Sequence, residues 1–130
     1  MDGGTVDLFV GSRITGNRAS TSGGGIYNSG TGTATVTGGT ITGNTAGTDT
    51  TNGFGGGIYN GSNLFNTSTG TVTLTGGTIT GNEATAGGGI YNSGTVNGKF
   101  NGVTVPADTG QKGVVLKASF GNSPDDIYFP

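Results

Sequence analysis

Threonine alternates with apolar residues along much of this chain. Ala34 and Val36 lie between Thr33, Thr35 and Thr37, and Val72 and Leu74 lie between Thr71, Thr73 and Thr75. A period of two places the aliphatic groups on one face and the hydroxyls on the other, the pattern of a half-buried strand. The stretch GTVTLTGGTITGNEATAGGGIYN, Gly70 to Asn92, holds three short extended runs: Thr71 to Thr75, Thr78 to Thr80, and Gly89 to Asn92. Glycine pairs and Gly-Asn steps separate them, which marks turns.

The same runs recur. GGGIYN occurs three times, at Gly23 to Asn28, Gly55 to Asn60 and Gly87 to Asn92, and ITGN begins at Ile14, Ile41 and Ile79. Units open near Gly4, Gly32, Gly70 and Gly94. A unit too small to bury its own apolar face must stack on its copies. Antiparallel sandwiches do not require one residue type to recur at one place in successive units, whereas a parallel β-helix does. The expected fold is therefore all-β: a β-solenoid of about four turns, three short strands per turn, with rungs about 4.8 Å apart. Its hand is taken as right from the crossover rule.

Stacked copies form ladders. Ile14, Ile41 and Ile79 are expected to make one inward column, Ile26, Ile58 and Ile90 a second, and Val36 with Leu74 a third. Alternation turns Tyr27, Tyr59 and Tyr91 outward as a row. Asn17, Asn44 and Asn82 make one candidate asparagine ladder, and Asn28, Asn60 and Asn92 another. An amide both donates and accepts, so each Asn can bond its copy and close a bend, and turn closure is the preferred role over ligand binding.

Composition narrows the chemistry. Glycine accounts for 31 of 130 residues without a three-residue period, which excludes collagen. Charged residues are 9% and the net charge is −2, unlike the highly charged chains that stay disordered. There is no cysteine and no histidine, so disulfides, thiolate metal sites and the commonest general base are absent. No cofactor is implied. Arg13, Arg18, Lys99, Lys112 and Lys117 are scattered, which argues against nucleic acid as a partner. No apolar run approaches the roughly 20 residues of a membrane helix, so membrane insertion is not expected. The N-terminus has no signal-peptide layout and begins inside a repeat.

The two interleaved motifs resemble the polymorphic outer-membrane protein and related bacterial surface β-helix repeats, whose marks are a GGA-I-like segment alternating with an F-x-x-N-like one. GGGIYN is similar to the first with Gly for Ala. I-x-x-N at Ile14 to Asn17, Ile41 to Asn44 and Ile79 to Asn82 is similar to the second with Ile for Phe. The likeness spans about Gly4 to Asn92. It implies a right-handed parallel β-helix, an extracellular or cell-surface location and an adhesive role, and it brings no catalytic residues.

The repeat is broken in two places. The second unit carries ten residues, Thr45 to Phe54, between its ITGN and GGGIYN segments, and it adds Gly61 to Thr69 after Asn60. These insertions bring Phe54, Leu64 and Phe65, either as exposed anchors of a binding loop or, preferred here, as a local cover on the coil. Two glycosylation sequons, at Asn60 and Asn66, are close to chance in so Asn- and Thr-rich a chain.

Residues 1–105 form the solenoid repeats. From Pro106, residues 106–130 read as a terminal turn, cap or docking segment, with Val114 to Leu116 and Ile127 to Phe129 as apolar runs. Lys112, Lys117, Asp125 and Asp126 are expected as their solvated flanks. With too few residues before Thr5 for a cap, the first turn is expected to present an open edge. An open first turn and a similar last turn would make a head-to-tail contact that does not close.

Three functions compete. The first is a non-enzymatic extracellular solenoid, a self-stacking filament subunit or adhesin-like module, whose partner is itself, a glycan or a cell surface. The second is a flat Thr face, Thr33, Thr35 and Thr37 over Thr71, Thr73 and Thr75, that binds ice or glycan. The third is a polysaccharide-cleaving β-helix, which needs paired carboxylates. Asp125 and Asp126 are the only adjacent acids, and neighbours in a strand face opposite ways.

Overall fold

The computed structural model describes residues 3–61, 70–100, 103–104, 113–117 and 121–130. Leu64, Phe65, Asn66 and Lys112, singled out in the sequence, lie outside them. The first turn contains β1 (Thr5–Leu8), β2 (Arg13–Thr15), β3 (Arg18–Ala19) and β4 (Ile26–Ser29). The second contains β5 (Thr33–Val36), β6 (Thr40–Thr42), β7 (Thr45–Ala46) and β8 (Ile58–Gly61). The third has β9 (Thr71–Leu74), β10 (Thr78–Thr80) and β11 (Ile90–Asn92). After it come β12 (Thr95–Phe100), β13 (Val103–Thr104), β14 (Gly113–Lys117) and β15 (Asp125–Phe129).

Strands pair with their own copies one turn away. The three main sheets run β1-β5-β9-β12-β13, β2-β6-β10 and β4-β8-β11-β15-β14, and β3 pairs with β7. Every contact between successive turns is parallel and in the register of the repeat: Thr5, Thr33, Thr71 and Thr95 align, as do Ile14, Ile41 and Ile79. The chain is an all-β parallel β-solenoid, three main strands to a turn. No helix among the described residues is long and apolar enough to cross a membrane.

The columns of aliphatic residues are the core. Ile41, Ile58, Ile90, Ile127, Val36, Val72 and Leu74 are almost fully buried, and Leu8 extends the Val36–Leu74 column into the first turn. Branched side chains stacked on their copies fill the narrow space between sheets and suit the extended backbone.

The tripeptide Gly-Gly-Gly has a steric cause. A Cβ on Gly25 would lie 2.7 Å from the carbonyl oxygen of Gly57, and one on Gly57 would lie 2.6 Å from that of Gly89. Glycine is what lets three turns approach at this corner. In the final turn the positions that pair with Gly88 and Gly89 are Asp125 and Asp126, since Ile127 aligns with Ile90. Among the described residues no parallel turn stacks beyond them, and their side chains are accommodated.

The C-terminal segment, read from the sequence as a terminal turn, cap or docking segment, builds directly on the coil. Its last strand continues the coil: β15 adds parallel to β11, pairing Ile127 with Ile90 and Tyr128 with Tyr91. The preceding strand then closes it, because β14 pairs antiparallel with β15. A second closure forms where β13 pairs antiparallel with β12. The last turn is thus unlike the first, contrary to the expected similarity of the two ends. Asp125 and Asp126 are also not solvated flanks: they are 5% and 0% exposed. Asp125 Oδ2 accepts the N–H of Gly87 at 2.8 Å, and Asp126 Oδ1 accepts from Asn122 Nδ2 at 2.7 Å, so both carboxylates are held by donors of the coil.

Candidate functional surface

Two amide ladders run through the coil with a fixed sense. The Asn17 backbone N–H and Nδ2 both donate to Asn44 Oδ1 at 3.0 Å, and Asn44 does the same to Asn82. Asn82 repeats the pattern on Asn122 at 2.9 and 3.0 Å. Each Nδ2 also reaches back to the carbonyl of the isoleucine one turn earlier or its equivalent: Asn44 to Ile14, Asn82 to Ile41 and Asn122 to Ile79. In the second ladder Asn28 Nδ2 donates to Asn60 Oδ1 at 2.8 Å, and Asn60 Nδ2 to Asn92 Oδ1 at 2.6 Å. Asn28, Asn44, Asn60 and Asn82 are fully buried, so these amides hold bends rather than meet ligands. Asn60, a sequon residue, is thereby shut away from any glycosylating enzyme.

What faces outward is regular. Tyr27, Tyr59, Tyr91 and Tyr128 stack with centroids 4.9, 5.4 and 5.5 Å apart and near-parallel rings. Such offset pairs contribute roughly 0.5–1.5 kcal/mol each beyond area burial. Burial, then the neighbouring Tyr27 and Tyr91 rings, push the Tyr59 phenol above its ordinary value of 10.0. Burial and Tyr128 do the same to Tyr91. Phe54 lies half-buried against Tyr91 at 5.0 Å and bridges Ser22 and Ala86 on the turns either side, so this insertion aromatic packs on the coil.

Thr33 and Thr35 lie directly beside Thr71 and Thr73, and all four are half-buried; Thr37 and Thr75 are exposed at the strand ends. Thr42 and Thr80 register in the next sheet. Beneath the first insertion lies a polar cavity of about 140 Å³ lined by Arg18, Thr45, Asp49, Glu83 and Thr85 among others. Sequence reasoning did not find it, because it arises where the insertion departs from the repeat.

The sequence reading names Ile127 to Phe129 as an apolar run of the terminal turn but does not place Asn122 in the asparagine ladder or Tyr128 in the tyrosine row. The signal for them was present: Gly121, like Gly16, Gly43 and Gly81, has a positive φ and precedes the ladder asparagine, and Ile-Tyr follows. The absent Gly-Gly-Gly hid the match.

The family model described as the Chlamydia polymorphic membrane protein repeat matches residues 11–29, a segment that carries the first ITGN and the first GGGIYN. That segment is similar to the polymorphic membrane protein repeat, in agreement with the resemblance drawn from the two motifs. No curated protein and no solved structure matches the chain.

Proposed function

We propose that this chain is a non-catalytic, adhesin-like β-solenoid of the bacterial cell surface, presenting a repetitive Thr and Tyr exterior to a glycan or a cell surface. One observation carries the reading: the buried polar side chains, the Asn ladders with Asp125 and Asp126, are engaged in holding the coil, which leaves a periodic, sparsely charged exterior as the surface available for contact. The repeat match at residues 11–29 supports the location. Polysaccharide cleavage is the weaker reading, since its one adjacent acid pair is buried in structural hydrogen bonds.

Beads coated with the chain, applied to cultured epithelial cells and to a glycan array, test the proposal. Saturable attachment that falls when Thr35 and Thr73 become Lys supports it. Attachment no greater than that of an unrelated β-solenoid would refute it. Head-to-tail filament growth is a finer version, and the antiparallel closures of β13 and β14 weigh against it. Filaments with an axial repeat of about 20 Å, four rungs, in negative-stain images would restore it. The register of Thr5, Thr33, Thr71 and Thr95 favours a second reading, a hydroxyl and methyl array that binds ice or glycan, for which thermal hysteresis is the direct assay.

A further inference from the structure

Between the ladder asparagine and the next Gly-Gly-Gly, the first and third units need only five and four residues, Arg18 to Ser22 and Glu83 to Ala86. The second unit uses ten. Thr45 aligns with Arg18 and bridges to Glu83, and Phe54 bridges to Ser22 and Ala86, so both ends of its insertion keep the register of the coil. Residues 47–53 leave the coil and return. Their neck is pinned to the turns on either side: the Gly47 N–H donates to the Ala19 carbonyl at 2.9 Å, the Gly53 N–H to Thr85 Oγ1 at 3.0 Å, and the Thr85 N–H to the Gly53 carbonyl at 2.8 Å. Their tip is closed as well. Thr48 and Thr51 exchange backbone hydrogen bonds at 2.9 and 3.3 Å, and Thr48 Oγ1 accepts from the Thr50 N–H at 3.4 Å. Asp49 stands in that turn, on a loop that hydrogen bonds hold in place.

Beneath the loop, unlike charges surround one space. Arg18 comes from the first turn, Glu83 from the third and Asp49 from the loop, with Thr45, Thr48 and Thr85 among them. All three charged side chains line the cavity of about 140 Å³, yet none forms an ion pair among the described residues. The volume is below the roughly 300–1,000 Å³ of a drug-sized site, so it suits one small polar molecule. No aromatic side chain lines it, which leaves a sugar ring nothing to stack on. A guanidinium and two carboxylates set apart around a cavity select a molecule that carries both signs of charge. A simple anion is opposed by Asp49 and Glu83, and a simple cation by Arg18.

We propose that this cavity is a binding site for a small zwitterion, the ammonium and carboxylate of a free amino acid. The carboxylate lies on Arg18, whose planar fork matches two oxygens, and the ammonium directs its three donors to Asp49 and Glu83. Thr85 Oγ1 already accepts from Gly53 and keeps its own O–H to donate. None of the lining residues belongs to the tyrosine row or to the array from Thr33 to Thr75, so the proposal stands or falls apart from the adhesive reading.

The test is NMR titration of the isotope-labelled chain with free L-alanine at low salt. The expected result is saturable shifts in the amides of Thr45, Thr48, Asp49 and Thr85, with a dissociation constant of about 1 mM, as befits ion pairs open to solvent. Thr35 and Tyr128 should not move. L-alaninamide, which lacks the carboxylate, and N-acetyl-L-alanine, which lacks the ammonium, should each bind about tenfold more weakly or less tightly still. Arg18→Gln and Asp49→Asn alter exposed side chains and should weaken L-alanine by a similar factor with an unchanged circular dichroism spectrum. Absence of shifts in the presence of tens of millimolar L-alanine overturns the proposal. Equal binding of either blocked analogue overturns it too, by making the cavity a plain anion or cation site, as does tighter binding of glucuronate or calcium than of L-alanine.

Discussion

Ile14 and Ile79 hold the same position of the repeat and pair with the two edges of one strand, through Ile41. Ile79 is 2% exposed, while Ile14 is only partly buried. The same contrast separates Asn82, fully buried, from Asn17, which is exposed. Sequence identity within a solenoid therefore does not mean energetic equality. What a repeat residue contributes depends on how many copies flank it, as nearest-neighbour stacking requires.

The largest contrast is expected from a charge in the aliphatic column. Ile79→Asp buries an unpaired carboxylate and should cost about 4 kcal/mol or more, enough to abolish the strand signal in circular dichroism near room temperature. Ile14→Asp, at the rim, should retain that signal and only lower the melting temperature. Equal damage from the two would refute the ranking of turns.

Next come the amides. Asn82→Ala removes partners from Asn44, Ile41 and Asn122 together and should cost roughly 3 kcal/mol by chemical denaturation. Asn17→Ala leaves the backbone N–H of residue 17 bonded to Asn44 Oδ1 and should cost less than about 1 kcal/mol. An effect between these two is expected of Gly57→Ala, whose methyl group meets the Gly89 carbonyl: about 2 kcal/mol, as for other overpacked sites, with loss of amide protection centred on β8 and β11.

The smallest effect is one of pH. Folding raises the Tyr59 and Tyr91 phenols above 10.0, so the folded chain holds their protons more tightly than the unfolded chain. The stability this gives is complete below about pH 10 and is lost as pH rises through the folded values. A plot of melting temperature against pH should therefore fall above pH about 10, and Tyr59→Phe should flatten it.

Much of this fold is legible in the chain because the residues that make the rungs are also those that repeat. GGGIYN and ITGN mark columns whose register follows directly from pairing like with like, and the unit boundaries near Gly32, Gly70 and Gly94 fall beside Thr33, Thr71 and Thr95, which align. The candidate surface was less accessible. Tyr27, Tyr59 and Tyr91 were expected to stack outward and do, but the fourth ring, Tyr128, follows Asp-Asp-Ile rather than Gly-Gly-Ile. Glycine is demanded where another parallel turn presses on it, and among the described residues none presses on Asp125 and Asp126, so that turn loses the signature for a physical reason. The direction of the amide ladders was equally hidden, since a column of asparagines is symmetric on paper and acquires a donor side and an acceptor side only in three dimensions.

A coil of near-identical rungs faces an ambiguity that ordinary cores do not. A slip of one residue sets amide against isoleucine in every column and is strongly disfavoured. A slip of one whole repeat restores nearly all contacts, with Ile26 lying where Ile58 belongs. What penalises it is the part that does not repeat: Phe54 rests its ring on Tyr91, and its counterparts in the neighbouring turns, Ser22 and Ala86, carry no ring to take its place. The insertion that interrupts the pattern thereby serves as its index mark, assigning each turn to one storey of the stack during folding.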